Sequence, residues 1–426
     1  MGIKDMRLTK FFENLLVVIF LFFLIYYPPI MSMNILYGLG FFSNIYLLLN
    51  MFLTKKKVEI NVNYLKLYTI FFLFFIYLAL IAYSNFYSPM EASKSVLFWL
   101  FSIFPSLIML NYYFKKNKFS LMNFTNIMLC VGIVQSGFAI LAFFNTEFQT
   151  WFIERMINYG YSDTRFSQLA SFRWYGLSSK LGYTMPAVQA FLCIITIYLS
   201  IYYSKKYLFL TPFLFFSAVI NARISFIIIV LGIFIIFSTL IKNNKRKVFK
   251  NLLVSILSSF LFIILALGLL KKFNSDTYQW FTSGILNIFG GSDNAIYGIG
   301  DYFVNKNNYK VPTELVQFFF GTGNYANGDN VLNFRTDVGY INDIWLGGVF
   351  YLLAIVLFFI TKTFKMKKNI KNNYLNFISN FFILSFLILN IKGYVFSINE
   401  FTTFFFSFYF FTLINEVYTD ENSVYL

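Results

Sequence analysis

The chain of 426 residues contains no histidine, only two cysteines and only 18 acidic residues. Without histidine there is no imidazole base, so His-based catalysis is excluded. An ordinary zinc site needs about four Cys, His or carboxylate ligands, and Cys130 and Cys193 each lie inside an apolar segment. We therefore expect no bound metal, and nothing in the sequence indicates another cofactor.

Charge of either sign is rare, whereas apolar residues are abundant. Charged residues make up 12% of the chain and hydrophobic residues 58%, whereas about 25% of residues are charged in an average soluble protein. A membrane-crossing helix needs about 20 mostly apolar residues. We therefore predict an all-α polytopic membrane protein, with residues 1–426 in one transmembrane domain. The predicted spans are 12–30, 34–53, 66–84, 95–112, 123–144, 184–204, 207–222, 224–241, 251–270, 344–361, 374–391 and 401–416.

The stretch 207–241 is ambiguous because Arg223 is its only charged residue. One helix there would be too long, and it would place the lysines at 205–206 and at 242–250 on opposite sides of the membrane. A hairpin that turns at Asn221-Ala222-Arg223 places both groups on one side, as the positive-inside rule favours. We therefore expect two helices and a total of about twelve spans.

With twelve spans, the basic residues separate by side. The N-terminus and the loops 54–66, 115–118, 205–206, 242–250 and 362–371 hold 22 of the 34 Lys and Arg residues. This distribution predicts that both termini are cytoplasmic. Most of the net charge of +16 lies on this inner side, which indicates contact with anionic membrane lipid and does not indicate nucleic acid as a partner.

The arginines are distributed differently from the lysines. Of seven arginines five fall outside, whereas only seven of 27 lysines do. The planar guanidinium binds phosphate or carboxylate through two parallel hydrogen bonds, so this bias suggests an anionic ligand at the outer face. The outer arginines are Arg155, Arg165, Arg173, Arg223 and Arg335.

Two outer loops are long, at about 145–183 and 271–343. Long connections are uncommon unless they are functional. Each loop carries an apolar, aromatic stretch, which predicts short helices lying in the membrane interface. Arg173 and Lys180, with Trp174 and Tyr175 beside them, end the first loop. They indicate either a site for an anion and a sugar or an interfacial anchor belt of Trp, Tyr and Arg.

The second loop ends in "NFRTDVGYINDIW", residues 333–345, just before eighteen uncharged residues. Asp343 is expected to cap the next helix at its N-terminus. Arg335 and Asp337 have no such simple structural role, although the two side chains would form an inert ion pair if they point the same way. The glycine-rich "GTGNYANGD" at 321–329 lacks the Gly-Lys-Ser/Thr ending of a phosphate loop, so we expect a flexible turn.

Three blocks of the sequence together resemble the O-antigen polymerase and ligase superfamily. They are "SFRWYGLSSKLGYTMPAVQAF" at 171–191, "SAVINARISFIIIVLG" at 217–232 and "FFFGTGNYANGDNVLNFRTDVGYINDIWLGGVFYLL" at 318–353. The blocks cover about 80 residues, and residues 1–140 are similar to the family only in topology. Ligases of the superfamily carry a histidine where this chain has Asp337, so the "Asp-x-Gly-Tyr" form looks like the polymerase branch. Arg165 and Gly176 resemble a further pattern of some polymerases.

The resemblance implies a GT-C-like fold and a reaction on lipid-linked sugars. A growing glycan on undecaprenyl pyrophosphate would be transferred to a hydroxyl of a new undecaprenyl-pyrophosphate-linked repeat unit, without a metal ion, at the outer face of the bacterial inner membrane. Fixed arginines would stabilise the pyrophosphate leaving group, and a carboxylate would accept the hydroxyl proton. The catalytic candidates are Asp337, Arg335, Arg223 and Arg173; the substrate-binding candidates are Arg165, Lys180, Trp174, Tyr175 and Tyr340.

Other assignments are left open by the sequence. Glu147, Glu154 and Asp301 are alternative bases, and Trp280 is another ring that would stack on a sugar. A lipid-linked oligosaccharide flippase would also have twelve spans and a basic inner face, but should hold charges in mid-span, facing a cavity. A ligase-like transferase is the remaining alternative. The sequence does not decide whether a chain-length regulator binds as a partner.

Overall fold

A computed structural model describes residues 3–29, 35–54, 62–158, 173–179, 182–222, 224–242, 309–324, 336, 338–369 and 372–414, with isolated positions between 254 and 282. Regular structure in these parts of the chain is helical. The α-helices are α1 (Ile3–Tyr26), α2 (Ile35–Thr54), α3 (Val62–Ser84), α4 (Pro89–Phe98), α5 (Phe104–Lys116), α6 (Leu121–Phe144), α7 (Thr146–Asn158), α8 (Thr184–Tyr202), α9 (Thr211–Val219), α10 (Ile224–Lys242), α11 (Leu315–Phe320), α12 (Gly339–Asn369), α13 (Asn373–Lys392) and α14 (Glu400–Thr412). A π-helical turn (Trp99–Ile103) joins α4 to α5, and a 3₁₀ turn (Lys205–Phe209) precedes α9.

The protein is an all-α membrane protein. Within the described residues, six segments are long and apolar enough to cross a bilayer: Val62–Ser84, Pro89–Lys116, Leu121–Phe144, Thr184–Tyr202, Gly339–Lys368 and Asn373–Lys392. Shorter apolar helices cover Ile35–Asn50 and Ile224–Thr239. The total of twelve spans therefore stays a prediction.

Two predicted spans do not form single helices of membrane length. The run 207–222 is a 3₁₀ turn followed by α9, which has only 9 residues. The run 401–416 contains α14, which has 13 residues. At 1.5 Å per residue, these α-helices measure roughly 14 and 20 Å, whereas the hydrocarbon core is about 30 Å thick. The break predicted at Asn221–Arg223 is confirmed as a helix boundary, since α9 ends at Val219 and α10 begins at Ile224.

The chain forms two compact units. The first contains Met1–Ile35 and Met122–Asp301. Its central helix is α8, whose apolar window is buried over its whole length. Small residues let neighbouring helices approach it: a Cβ on Gly232 of α10 would lie 2.6 Å from Ile194 Cγ1. Such close backbone approach is typical of helix packing in membranes, where burial of apolar area between helices contributes little.

The second unit contains Leu36–Leu121 and Tyr302–Leu426. Its core is α14, all 13 residues of which are buried. The phenylalanines of α14 pack mainly edge-to-face, as Phe406 does against Phe104 with ring centroids 5.2 Å apart. This geometry is favourable for aromatic pairs. An Asn399–Thr402 capping box fixes the first turn of α14, so the buried helix begins with satisfied backbone groups.

Proline explains the π-helical turn of the second unit. Pro105 has no N–H, so the carbonyl of Phe101 loses its partner four residues ahead. Asn44 Nδ2 of α2 donates to that carbonyl oxygen at 3.0 Å instead. A Cβ on Gly40 would lie 2.7 Å from the same oxygen, so a glycine at that position allows α2 to approach the turn.

Candidate functional site

The first unit holds Arg173 in a segment, residues 173–179, that is not helical. We call this segment the Arg173 loop. Gly176 gives it a tight bend with φ +60°, and a Cβ there would lie 2.9 Å from Gln135 Nε2. Left-handed backbone with so little space requires glycine. The glycine at position 176 is therefore explained by the path of the loop over α6.

Buried amide side chains from neighbouring helices hold the loop. Gln135 of α6 donates through Nε2 to the Tyr175 carbonyl at 2.6 Å and accepts from the Leu177 N–H at 3.4 Å. Gln149 of α7 donates to the Arg173 carbonyl at 3.1 Å. Buried backbone groups must be paired, and here side chains pair them in place of a strand or helix. The loop is consequently a fixed part of the unit.

Asn221 makes the most complete of these contacts. Its Oδ1 accepts from the Trp174 N–H at 2.7 Å, and its Nδ2 donates to the Trp174 carbonyl at 2.8 Å. Nδ2 also donates to the Ser217 carbonyl at 2.9 Å. Asn221 is fully buried and stands two residues before Arg223. It therefore ties the backbone next to Arg173 to the chain that leads into Arg223.

The side chains of the loop differ in exposure. Arg173 is half-buried, and its Nη1 donates to the Tyr175 hydroxyl at 3.0 Å. Trp174 and Tyr175 are buried; the Trp174 ring packs edge-to-face on Phe143 at 5.0 Å. Both rings therefore pack inside the protein. Stacking on a sugar, which was predicted for them, would require an exposed ring face. The catalytic role predicted for Arg173 stays a prediction.

The short helix predicted in the first long loop is present as α7. Phe152 and Met156 on α7 are buried against the protein. The two alternative bases on this helix, Glu147 and Glu154, are exposed. Arg155 is exposed too, with its guanidinium carbon 6.0 Å from the Trp151 ring centroid. No described contact brings either glutamate to Arg173.

The second unit contains the helix that follows Asp337. The expectation that Asp343 caps this helix is wrong, because α12 begins at Gly339 and Asp343 lies inside it. Its carboxyl group is fully buried, and Oδ2 accepts from Asn390 Nδ2 of α13 at 2.9 Å. Oδ1 has no hydrogen-bond partner among the described residues. A buried carboxyl in a segment of membrane length is costly, so the sequence pattern missed an unusual group.

The neighbours of Asp343 fix the start of α12. Asn342 Nδ2 donates to the Thr336 carbonyl at 3.0 Å. Tyr340, a predicted substrate-binding residue, is half-buried and its hydroxyl donates to the Leu387 carbonyl at 2.8 Å. A Cβ on Gly339 would lie 2.7 Å from the Asn390 carbonyl oxygen, so only glycine allows this approach of α12 to α13.

A break divides α12 at Gly348, whose φ of 73° and ψ of −179° are not helical. The carbonyls just before the break lose their intrahelical partners. The Thr322 N–H donates to the Trp345 carbonyl at 2.7 Å and the Gly323 N–H to the Leu346 carbonyl at 2.9 Å. The segment 321–323 is thus packed into the break, and the expected flexible turn is wrong for these residues.

Close packing explains why this segment contains glycine. A Cβ on Gly321 would lie 2.6 Å from Gly347 Cα, and one on Gly323 would lie 2.6 Å from the backbone nitrogen of Ala82. The Tyr77 hydroxyl of α3 donates to the Gly347 carbonyl at 2.9 Å. Groups from outside α12 therefore pair three carbonyls at the break, and the break makes residues 339–347 a separate short helix that carries Tyr340 and Asp343.

Several predicted functional residues lie outside the described part of the chain, and their roles stay predictions. They are Arg165, Lys180, Arg223, Trp280, Asp301, Arg335 and Asp337. Among the described residues, no group of three or more His, Cys, Asp or Glu side chains is arranged to hold a metal ion. No family model, curated protein or solved structure matches this chain.

Proposed function

We propose that this membrane protein polymerises lipid-linked oligosaccharide repeat units at the outer face of a bacterial inner membrane. The bond between the donor's anomeric carbon and undecaprenyl pyrophosphate breaks, and a new bond forms to the acceptor hydroxyl. The hydroxyl proton passes to a carboxylate, for which Asp337 is the first candidate. Undecaprenyl pyrophosphate leaves with the bonding electrons, and the product is a surface polysaccharide such as O-antigen.

The observation that carries this proposal is the fixed Arg173 loop. Charge develops on the pyrophosphate as it leaves, and donors held in place before the reaction stabilise that charge without reorganising. Buried amides hold the backbone of Arg173, and Asn221 links it to the segment before Arg223. Catalytic side chains need such rigid support, whereas an interfacial anchor would need none. This contrast favours an anion site over an anchor belt.

Deletion of the gene tests the proposal in cells. Loss of a polymerase should leave single repeats on the mature surface core, because one unit is still delivered and ligated. Total loss of surface glycan would instead point to a flippase or a ligase, and would contradict the proposal.

Arg173→Lys tests the anion site in the same strain. Lysine keeps the charge but loses the guanidinium fork, so polymer yield or length should fall while protein abundance holds. Arg155→Lys is the matched control, because Arg155 is an exposed arginine on α7 of the same unit. Equal effects of the two substitutions would remove Arg173 from the site.

One observation favours a second function, that of a lipid-linked oligosaccharide transporter. Asp343 is a buried carboxyl in the membrane-length segment Gly339–Lys368, on the short helix before the break at Gly348, and buried carboxyls in such segments mark transport and proton pathways. Asp343→Asn separates the two functions. Asn keeps an oxygen that accepts from Asn390, so a polymerase should retain both abundance and polymer. A transporter that uses the carboxyl should stay abundant but lose all surface glycan.

A further inference from the structure

Three lysines meet where the start of α3 and the end of α12 come together in the second unit. Lys365 Nζ donates a hydrogen bond to Asn63 Oδ1, which joins the two helices. Lys66 follows Asn63 by three residues, and Lys362 precedes Lys365 by three. Residues three apart lie on one helix face. Lys66, Lys362 and Lys365 therefore face the same place, and we call them the basic cluster.

The positive charges of the basic cluster are not neutralised within the described part of the chain. The charges of Lys365 and Lys66 act unfavourably on the Lys362 ammonium. Lys362 Nζ lies 5.1 Å from the centroid of the Phe358 ring, a contact that offsets only part of the cost of a half-buried cation. An anion bound between the three lysines would remove their mutual repulsion.

Helix dipoles do not explain the whole cluster. Lys362 and Lys365 precede the last turn of α12, which contains Lys367 and Lys368, and the favourable effect of the helix dipole on cations falls off beyond that turn. Lys66 lies near the N-terminal end of α3, which carries the opposite partial charge. A lysine at that end is not stabilised by the dipole of its own helix, and its charge adds to the repulsion. A bound anion accounts for all three positions.

The surroundings of the cluster indicate that the anion has hydrocarbon chains. Leu65, next to Lys66, is 63% exposed, and Phe364, next to Lys365, is 54% exposed. Val62 and Leu357 on the same two helices are exposed as well. A free phosphate would contact none of these apolar side chains. A phospholipid would place its phosphate on the lysines and its acyl chains along these helix faces.

We propose that Lys66, Lys362 and Lys365 bind the phosphate headgroup of an anionic phospholipid at the end of the α3–α12 pair. Two membrane helices with basic residues between their ends are a known arrangement for such headgroups. The three lysines belong to the second unit, whereas the Arg173 loop belongs to the first, and the proposed lipid site does not depend on the proposed polymerase activity.

The test uses full-length purified protein in detergent with phosphatidylglycerol, phosphatidylcholine or inorganic phosphate. Native mass spectrometry measures the lipid retained, and thermal unfolding measures the stabilisation. Replacing all three cluster lysines by Gln should weaken phosphatidylglycerol binding at least ~10-fold, since each lysine near an anionic headgroup contributes about fivefold. The control replaces Lys116, Lys205 and Lys206, which are exposed lysines on other elements, by Gln. It removes the same charge from other elements and should weaken phosphatidylglycerol binding clearly less than the cluster variant does.

Any one of three results would overturn the proposal. The first is a control triple variant that weakens phosphatidylglycerol binding as much as the cluster variant does. The others are phosphatidylcholine that binds as well as phosphatidylglycerol, and inorganic phosphate that stabilises the protein as much as phosphatidylglycerol at the same concentration. If the cluster variant does not fold, Lys66→Gln alone is informative, because Lys66 is exposed. That variant should still lose several-fold in phosphatidylglycerol binding, and unchanged binding would equally refute the site.

Discussion

Replacing Asn221 by Ala should both destabilise the first unit and impair the proposed reaction. Asn221 is the side chain that pairs both backbone groups of Trp174 and anchors them to Ser217. Alanine keeps the backbone conformation accessible but supplies neither an acceptor nor a donor. The Arg173 loop would then lose its connection to the segment that leads into Arg223. Arg173 itself is left unchanged in the variant.

The magnitude follows from the groups left unpaired. The Trp174 N–H and carbonyl are held at 2.7 and 2.8 Å and lie beside a buried side chain. A buried polar group that loses its partner costs about 1–3 kcal/mol, so the two groups together cost roughly 2–6 kcal/mol. The free energy of unfolding of a typical domain is only about 5–15 kcal/mol, so this cost would remove a large fraction of it. Partial access of water to the loop would move the cost toward the lower end.

The assay compares Asn221→Ala with Asn126→Ala in the same detergent. Asn126 is a half-buried amide of the same unit whose Oδ1 accepts one hydrogen bond, from the Tyr207 hydroxyl at 2.8 Å. Its loss should cost about 1 kcal/mol. Asn221→Ala should unfold at a clearly lower temperature than Asn126→Ala, and surviving folded protein should make less polymer per molecule. Equal unfolding temperatures and equal polymer yields would refute the positioning role of Asn221.

Other predictions concern the second unit and the topology. Gly323→Ala should reduce the yield of folded protein, because φ at Gly323 is +77° and a Cβ would lie 2.6 Å from the Ala82 nitrogen. Gly137→Ala should be neutral or stabilising, because a Cβ there would have no neighbouring atom within 4 Å. Thermal unfolding in detergent should show a lower unfolding temperature for Gly323→Ala and an equal or higher one for Gly137→Ala. Tyr77→Phe removes the hydroxyl bonded to the Gly347 carbonyl and should lower the free energy of unfolding by about 1 kcal/mol; no change in unfolding temperature would show that the break does not need this bond. Reporter fusions after Leu426 and near residue 305 should report cytoplasmic and outer positions respectively, and an outer C-terminus would contradict the twelve-span prediction.

The helices that position the site were largely predictable from the sequence. Long apolar runs identify helices because a buried backbone in lipid must satisfy its own hydrogen bonds. The boundary near Asn221 was also predictable, since a single charged residue interrupts an otherwise apolar run. Both the helices and this boundary were predictable because they depend only on residue types and their spacing within a short stretch of sequence.

The details of the site depend on contacts distant in sequence, which leave no local pattern. Asn221 could not be connected to Trp174 because its partners are backbone groups, which are the same for every residue type. The position of Asp343 just before a long apolar run indicated a helix cap. Its hydrogen bond to Asn390 of α13 is a contact between two helices, which the local sequence does not show. The break at Gly348 was hidden inside an apolar run, and it is stable only because residues 321–323 fill it.

The most direct test of the central claim is reconstitution of the purified protein with an undecaprenyl-pyrophosphate-linked repeat unit and no other enzyme. We expect a ladder of lipid-linked oligomers, with one undecaprenyl pyrophosphate released for each bond formed. Asp337→Asn should lower that rate about 10²-fold or more if Asp337 is the base. A ladder made at the normal rate by stable Asp337→Asn protein would move the base to another carboxylate. A wild-type protein that makes no ladder and releases no undecaprenyl pyrophosphate would contradict the polymerase function itself.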